Sequence, residues 1–370
     1  MLKHPERGRI AYLAFDLPYK GQASYTHIHE IMENLRRLGW QVDLFAPKPE
    51  SHIGQHNIRR KIARYFRVIC DAVSHLGEYD ILYVRAHPLA WPVSFAARRK
   101  GLKVAQEVNG TELDVIVSHP WLNIFRSLVR RLYLSQYRVA NYLFPVTSDL
   151  ENWLRRSIGH PAITMISNAA NTDLFRPIDR KDAEPFVVFF GTLTLWHGVD
   201  TMVAALRRPE WPESVKLLVI GVGTKSSAIE DAVRAGLPVQ WLGLQPYEKI
   251  PELVAGAIAS LIVIGNPQSR SSTGVLPLKL YETLACGIPA IVSDLPGQAE
   301  LVRDGQCGLV IPCDDAAALA DAVARLAADR DAARAMGERG AALVRAKHSW
   351  AARAAQIDAI LQESTMQAAR

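Results

Sequence analysis

Lys279 and Glu282 stand three residues apart in SSTGVLPLKLYETLACGIPAI (Ser271–Ile291), so a helix formed there carries a cation and a carboxylate on one face. A polar, glycine-containing loop precedes the pair and an apolar run follows it, so the segment reads as loop, helix and strand. Pro277 falls at a first helical position and Gly287 just past the helix end, where a left-handed cap is expected. Backbone N–H groups of Val275 and Leu276 would then be unpaired at a helix N-terminus, a favourable place for a diphosphate. Lys279 adds a positive charge near the phosphates, and Glu282, one turn on, has two oxygens to accept both hydroxyls of a ribose. A surface helix with an ordinary Lys–Glu pair is the competing explanation of this segment taken alone.

A second segment, FFGTLTLWHGVDTMVAAL (Phe189–Leu206), reads as a buried strand, a glycine turn and an amphipathic helix with Val199, Met202, Val203 and Leu206 facing inward. Gly191 lets the backbone approach a ligand closely. His197 precedes the helix and is expected to donate to a phosphate oxygen; a solvated or locally capping histidine is the alternative.

These segments need a scaffold, and the surrounding pattern supplies one. From Arg9 to about Pro145, short apolar runs (IAYLAF, VDLFAP, DILYVR, LKVAQEV, YLFPV) alternate with helix-length stretches, as in βαβ units. The second half repeats the rhythm with PFVVFFG, VKLLVIG, VQWLG, ASLIVIG and PAIVSD. The expectation is α/β, with two doubly wound Rossmann-like domains in tandem, residues 1–167 and 185–349, joined by a polar linker, 168–184. An Ala-rich tail, Ala316–Arg370, is expected to form two terminal helices, with the last, residues 350–370, packing back on the first domain.

The 370 residues, 49% hydrophobic and 22% charged, suffice for two cores of ordinary size. No apolar run approaches the roughly 18 residues that span a bilayer, and the start of the chain reads as a first strand rather than a leader, so a cytoplasmic protein is expected. Cys70, Cys286, Cys307 and Cys313 are too few and too irregular for a disulfide framework or a zinc pattern and read as reduced structural thiols. A net charge of +6 and a pI near 9.1 suit an anionic ligand or an acidic lipid surface.

In this order, the segments resemble glycosyltransferase family 4, retaining enzymes of the GT-B fold in which two Rossmann-like domains face each other across a cleft. The resemblance also takes in LVIGVG (Leu218–Gly223), WLGLQPYEKIPELVAGA (Trp241–Ala257), GLVIPCDD, KGQASYTHIHEIMENLRRLGWQVDLFAP and SNAANTDLFRP, and so covers essentially the whole chain. It implies that Glu282 binds the ribose and that the backbone at Val275 and Leu276 cradles the diphosphate. It also implies that Trp241–Gln245, with Gly243 and Leu244, packs on the nucleobase, and that Gly21, after the first strand, approaches the donor phosphates in a closed state.

Three departures from the family pattern matter. Gly274 stands where the family has the first glutamate of its Glu-x7-Glu pair, so the carboxylate that reads the donor hexose is absent. Thr192 and His197 stand where many members have Arg and Lys, leaving Lys279 and Arg270 as the positive charges. The first-domain histidine is replaced in AQEVNGTELD, so Glu107, Asn109 and Gly110 take that position; Asn109 is expected to touch the transferred sugar, against a plain Asn–Gly turn.

The function implied is transfer of a hexose, with retention, from a nucleoside-diphosphate sugar to a saccharide or lipid-linked saccharide in exopolysaccharide or lipopolysaccharide assembly. The departing diphosphate takes the acceptor's proton, and no metal or other cofactor is expected, since no DxD-like loop stands out. Two basic, apolar-interleaved stretches, His56–Ile69 and Trp121–Arg138, suggest peripheral contact with an anionic membrane at its inner face, or else core-facing helices with a solvated basic side. Nucleic acid is not an expected partner. A nucleotide-sugar epimerase of the same architecture and a non-catalytic nucleotide-sugar-binding scaffold are the alternatives.

Overall fold

The computed structural model describes residues 7–16, 22–48, 58–118, 120–159, 162–180, 184–265 and 273–368. The chain divides into two compact units, Met1–Ser167 with Trp350–Arg370, and Asn168–Ser349.

In the first unit five parallel strands, β1 (Arg9–Leu13), β2 (Gln41–Phe45), β3 (Ile81–Arg85), β4 (Lys103–Val108) and β5 (Tyr142–Pro145), lie in the order β2-β1-β3-β4-β5. Order reverses at β1, so the crevice at the carboxyl ends of β1 and β3 is a topological switch point. Alternation along the strands sends Ala11, Leu13, Leu82, Val84 and Val104 to one face. There they pack against helices Ile58–His75, Trp91–Arg99 and Arg126–Val139 through Val68, Ala72, Val93, Ala97, Val129 and Tyr137. Elsewhere in this unit, helices Ala23–Arg37 and Trp350–Ala368 pack on each other. Arg353 of the latter donates to the Ser167 carbonyl at 3.0 Å, and Trp40 donates to Asp358 at 2.8 Å.

The second unit has six parallel strands, β6 (Phe186–Phe190), β7 (Lys216–Ile220), β8 (Val239–Trp241), β9 (Ser260–Ile262), β10 (Ala290–Ser293) and β11 (Gly308–Ile311), ordered β11-β10-β9-β6-β7-β8. Its switch point lies between β6 and β9. Strands such as FVVFF are apolar throughout because both faces are covered: Val187, Phe189, Leu217 and Val219 enter one core cluster, and Val188, Phe190, Leu218 and Ile220 the other. The strand GLVI was not among the five apolar runs of this half; its glycine and partial burial mask it. Asn168–Arg180 belongs to this unit, with Ala170 and Phe175 buried in its core.

The tail forms three helices rather than two: Ala316–Ala328, Arg330–Lys347 and Trp350–Ala368. The additional break is Asp329, which leaves helical geometry and caps the next helix by accepting from the Ala332 N–H at 2.9 Å. Trp121–Arg138 is likewise not one helix; a 3-10 segment, Pro120–Phe125, precedes Arg126–Val139.

Candidate functional site

The second switch point holds most of the residues singled out by sequence. The chain leaves β6 through Gly191, whose φ of +130° suits glycine, and a Cβ there would lie 3.7 Å from Lys279 Nζ. Gly221, after β7, passes so close that a Cβ would meet the Gly191 carbonyl oxygen at 1.9 Å, so both loops need glycine to run side by side.

Helix Leu278–Ala285 is buried along its whole length, because it is sandwiched between the sheet and helix Arg330–Lys347. Lys279 is only 8% exposed, and its ammonium makes no hydrogen bond among the described residues. It sits 4.1 Å from the Phe189 ring centroid. Burial pushes its pKa down to about 7, only partly opposed by the Glu282 carboxylate. A buried ammonium without a hydrogen-bond partner is costly in its charged form, and an anion placed beside it would lower that cost.

Glu282 is 5% exposed and accepts from Tyr247 Oη at 2.6 Å. Tyr247 is a member of this site that the sequence reading missed; its ring packs on Phe175 at 5.2 Å between centroids. Nothing in its spacing signals the contact, which is made across the fold. Gly287, at φ +74°, closes the helix as expected: Ile288 N–H reaches the Thr283 carbonyl and Gly287 N–H the Leu284 carbonyl, a Schellman pair.

The helix start differs from expectation in two respects. Pro277 is the N-cap residue, one position before the first helical residue. The Val275 N–H is not available to a ligand, because it donates to the Pro296 carbonyl at 2.8 Å in an isolated parallel bridge. The N-terminal donors are instead those of the first turn, which the side chain of Pro277 cannot cap. Leu276 contributes its carbonyl to Asn168 Nδ2 at 2.7 Å, and Gly274 has φ +73°.

His197 ends a short 3-10 turn and is held by its own loop: Nδ1 lies 2.5 Å from the Thr192 carbonyl and 3.1 Å from Thr194 Oγ1. A carbonyl only accepts, so Nδ1 carries the proton, and a neutral ring presents Nε2 as an acceptor. Donation to a phosphate therefore requires the imidazolium, which narrows the expected role. Past β8, Gly243 has φ +63° and accepts from the Gly221 N–H at 2.7 Å, Trp241 donates to the Gly221 carbonyl at 2.8 Å, and Leu244 is 70% exposed. Gly21 and Arg270 lie outside the described residues.

In the first unit a second polar group occupies the switch point. Glu107, buried at the end of β4, meets Arg85 at the end of β3, His27 Nδ1 at 3.0 Å, Tyr12 Oη at 3.3 Å and Asn109 Nδ2. Arg85 also donates to Asp16 at 2.8 Å. Burial alone would raise the Glu107 pKa, but His27 and Arg85, with hydrogen bonds from His27 and Asn109, bring it down to about 2. Asn109, an exposed residue, donates its amide N–H to Glu107. Arg85, His27 and Asp16 were not singled out by sequence; a charge ending an apolar strand, as in ILYVR, is the signal that marks Arg85. Among the described residues no three His, Cys, Asp or Glu side chains are grouped to hold a metal ion.

The family described as Glycosyl transferases group 1 matches residues 171–343, and Glycosyltransferase Family 4 matches residues 25–174. The chain belongs to the family 4 type of glycosyltransferase, and its two parallel-sheet units are those of the GT-B class. It is similar to the phosphatidyl-myo-inositol mannosyltransferase of Mycobacterium leprae, at 26% identity over 95% of this chain and 94% of that protein. Curated relatives at 30–32% identity are spanned over only 21–51% of their own length. Among solved structures, sucrose-phosphate synthase from Thermosynechococcus elongatus superposes with a TM-score of 0.77 at 19% identity, over 98% of this chain and 100% of that one. Anabaena Alr3699/HepE in complex with UDP-glucose superposes with a TM-score of 0.74 at 16% identity, over 96% of this chain and 100% of that one.

Proposed function

We propose that the chain transfers a hexose, with retention at the anomeric carbon and without a metal, from a nucleoside-diphosphate sugar to a saccharide or lipid-linked saccharide during surface polysaccharide or lipopolysaccharide assembly. The observation that carries this reading is the Lys279 ammonium, buried without a hydrogen-bond partner among the described residues beside Gly191 and in the first turn of its helix. A diphosphate supplies the missing counter-charge, and Glu282, one turn on, accepts from the ribose hydroxyls. Thr192 and His197 flank the phosphates, and the Gly243–Leu244 loop borders the base. The similarity to a solved UDP-glucose complex and to a mannosyltransferase supports a nucleotide-sugar donor.

In the transfer, the bond from the anomeric carbon to the diphosphate oxygen breaks and its electron pair leaves with the diphosphate. The acceptor hydroxyl oxygen bonds to the same face of that carbon, and its proton passes to the departing diphosphate. Lys279 and the helix N–H groups stabilise the charge that grows on the leaving group. The family resemblance assigns Asn109 to the sugar and Gly21 to the donor phosphates. The working location is the cytoplasm, at the inner face of the cell membrane.

A thermal-shift panel of UDP-, GDP-, TDP- and ADP-sugars tests the donor, since a ligand binding only the native state raises its stability. Turnover with the donor so identified, unchanged by EDTA and followed by NMR of the product's anomeric configuration, tests the rest. Lys279→Ala and Glu282→Ala are expected to cut turnover strongly, the latter mainly through donor binding. Full activity in both variants would refute the site.

A further inference from the structure

The helical layer on one face of the first sheet is charged and greasy in a way its core does not require. Its three members, Ile58–His75, Trp91–Arg99 and the Pro120–Val139 region, share one core cluster and pack in succession, so their outer surfaces form one side of the unit. Residues 58–75, 91–99 and 120–139 hold eleven Arg and Lys against one acidic residue, Asp71. The rest of the chain holds thirty-two against thirty-six, so this layer is net +10 while everything else is net −4.

Large apolar side chains stand among these cations. Ile124 is 86% exposed, Trp121 65%, Leu128 55% and Phe125 50%, with Arg126, Arg130 and Arg131 next to them. Phe66 and Ile62 are also exposed, on the basic helix Ile58–His75, which packs on Trp91–Arg99. Four such residues within one short 3-10 turn and the start of its helix exceed the scattered exposure normal for a soluble surface. At the end of β2, Lys48, Arg60, Arg64 and Arg67 line an open cavity of about 470 Å³, roomy enough for phosphate headgroups.

We infer that this layer docks the chain onto an anionic bilayer, with Trp121, Ile124, Phe125 and Leu128 entering the interface and the flanking arginines meeting lipid phosphates. Charge complementarity selects the occupant: a second copy would bring one net +10 face against another. The inference deepens the lipid-linked-acceptor reading and rests on it for its purpose. It is tested without donor or acceptor, so it fails or stands apart from the transfer.

The experiment is co-sedimentation of the full chain with vesicles of phosphatidylcholine alone or mixed with phosphatidylglycerol. Binding to the mixed vesicles is expected to exceed binding to neutral ones by at least about tenfold and to collapse at high salt, each arginine contributing roughly fivefold. The double variant Ile124→Glu with Phe125→Glu, and separately Arg126→Ser with Arg131→Ser, should each lose about tenfold or more while melting like the parent. Ile178→Glu, an exposed apolar position in the second unit, should bind as the parent does. Absence of any anionic preference, or retained binding in both double variants, overturns the inference. So does a dimer in light scattering that Ile124→Glu with Phe125→Glu abolishes, which would assign the face to self-association.

Discussion

Replacing Lys279 by methionine is expected to make the unliganded protein more stable and unable to hold its donor. The ammonium has a pKa of about 7 in the fold against an ordinary 10.5, because burial disfavours the charged form more than Glu282 favours it. At about 1.4 kcal/mol per tenfold, that gap corresponds to an upper figure of about 5 kcal/mol lost when the charged side chain is buried. The sign follows from linkage: the unfolded chain holds this proton up to pH 10.5 and the fold releases it above 7. Stability relative to methionine is therefore lowest at and below pH 7, recovering by about 1.4 kcal/mol per pH unit toward pH 10.5. Urea unfolding of both proteins from pH 6 to 9 reads this directly, and other ionisable groups cancel in the difference. Nucleotide binding, measured by calorimetry in the same buffers, should weaken toward tenfold per pH unit above about 7 in the parent alone, since the diphosphate needs the cation. A methionine variant no more stable than the parent at pH 7, or a stability difference that ignores pH, would refute the reasoning.

Glu107 behaves in the opposite sense. Its carboxylate has a pKa of about 2 against an ordinary 4.5, so it contributes about 3 kcal/mol that is fully present above pH 4.5 and is lost as pH falls toward 2. Glu107→Gln should cost that much at neutral pH, with the gap closing in acid, as read by denaturant unfolding. His197→Ala should weaken nucleotide binding severalfold in a titration, and unchanged binding removes the residue from the site. Gly337→Ala should destabilise by a few kcal/mol in a melt, because its Cβ would sit 1.9 Å from the Gly287 carbonyl oxygen, in the seam where Arg330–Lys347 crosses the site helix.

What could be read from the chain depended on whether a feature is local. The strands declared themselves because burial on both faces forces continuous apolar runs, and the Schellman end of the site helix because Gly287 is needed at its own position. Lys279 and Glu282 were legible for the same reason, as a spacing within one helix. The Val275 N–H was misjudged because its acceptor, Pro296, comes from the far side of the following strand. Arg85 escaped because it meets Glu107 only when β3 pairs with β4, and Tyr247 because a loop must fold over Phe175 to reach Glu282. The third tail helix was hidden by alanine on both sides of Asp329, whose capping geometry outweighs the helical propensity around it.

The helix Trp350–Ala368 gives the molecule an order of assembly. Residues 168–349 form one contiguous unit, whereas the first unit is built from two stretches that lie on either side of it in the sequence. The first unit closes only when a helix that follows the whole second unit in the sequence supplies the tryptophan that packs on His27 at 4.8 Å and the aspartate that accepts from Trp40. Helix Ala23–Arg37 therefore keeps a face open until Trp350–Ala368 reaches it, and an open apolar face is the surface through which incompletely folded chains aggregate.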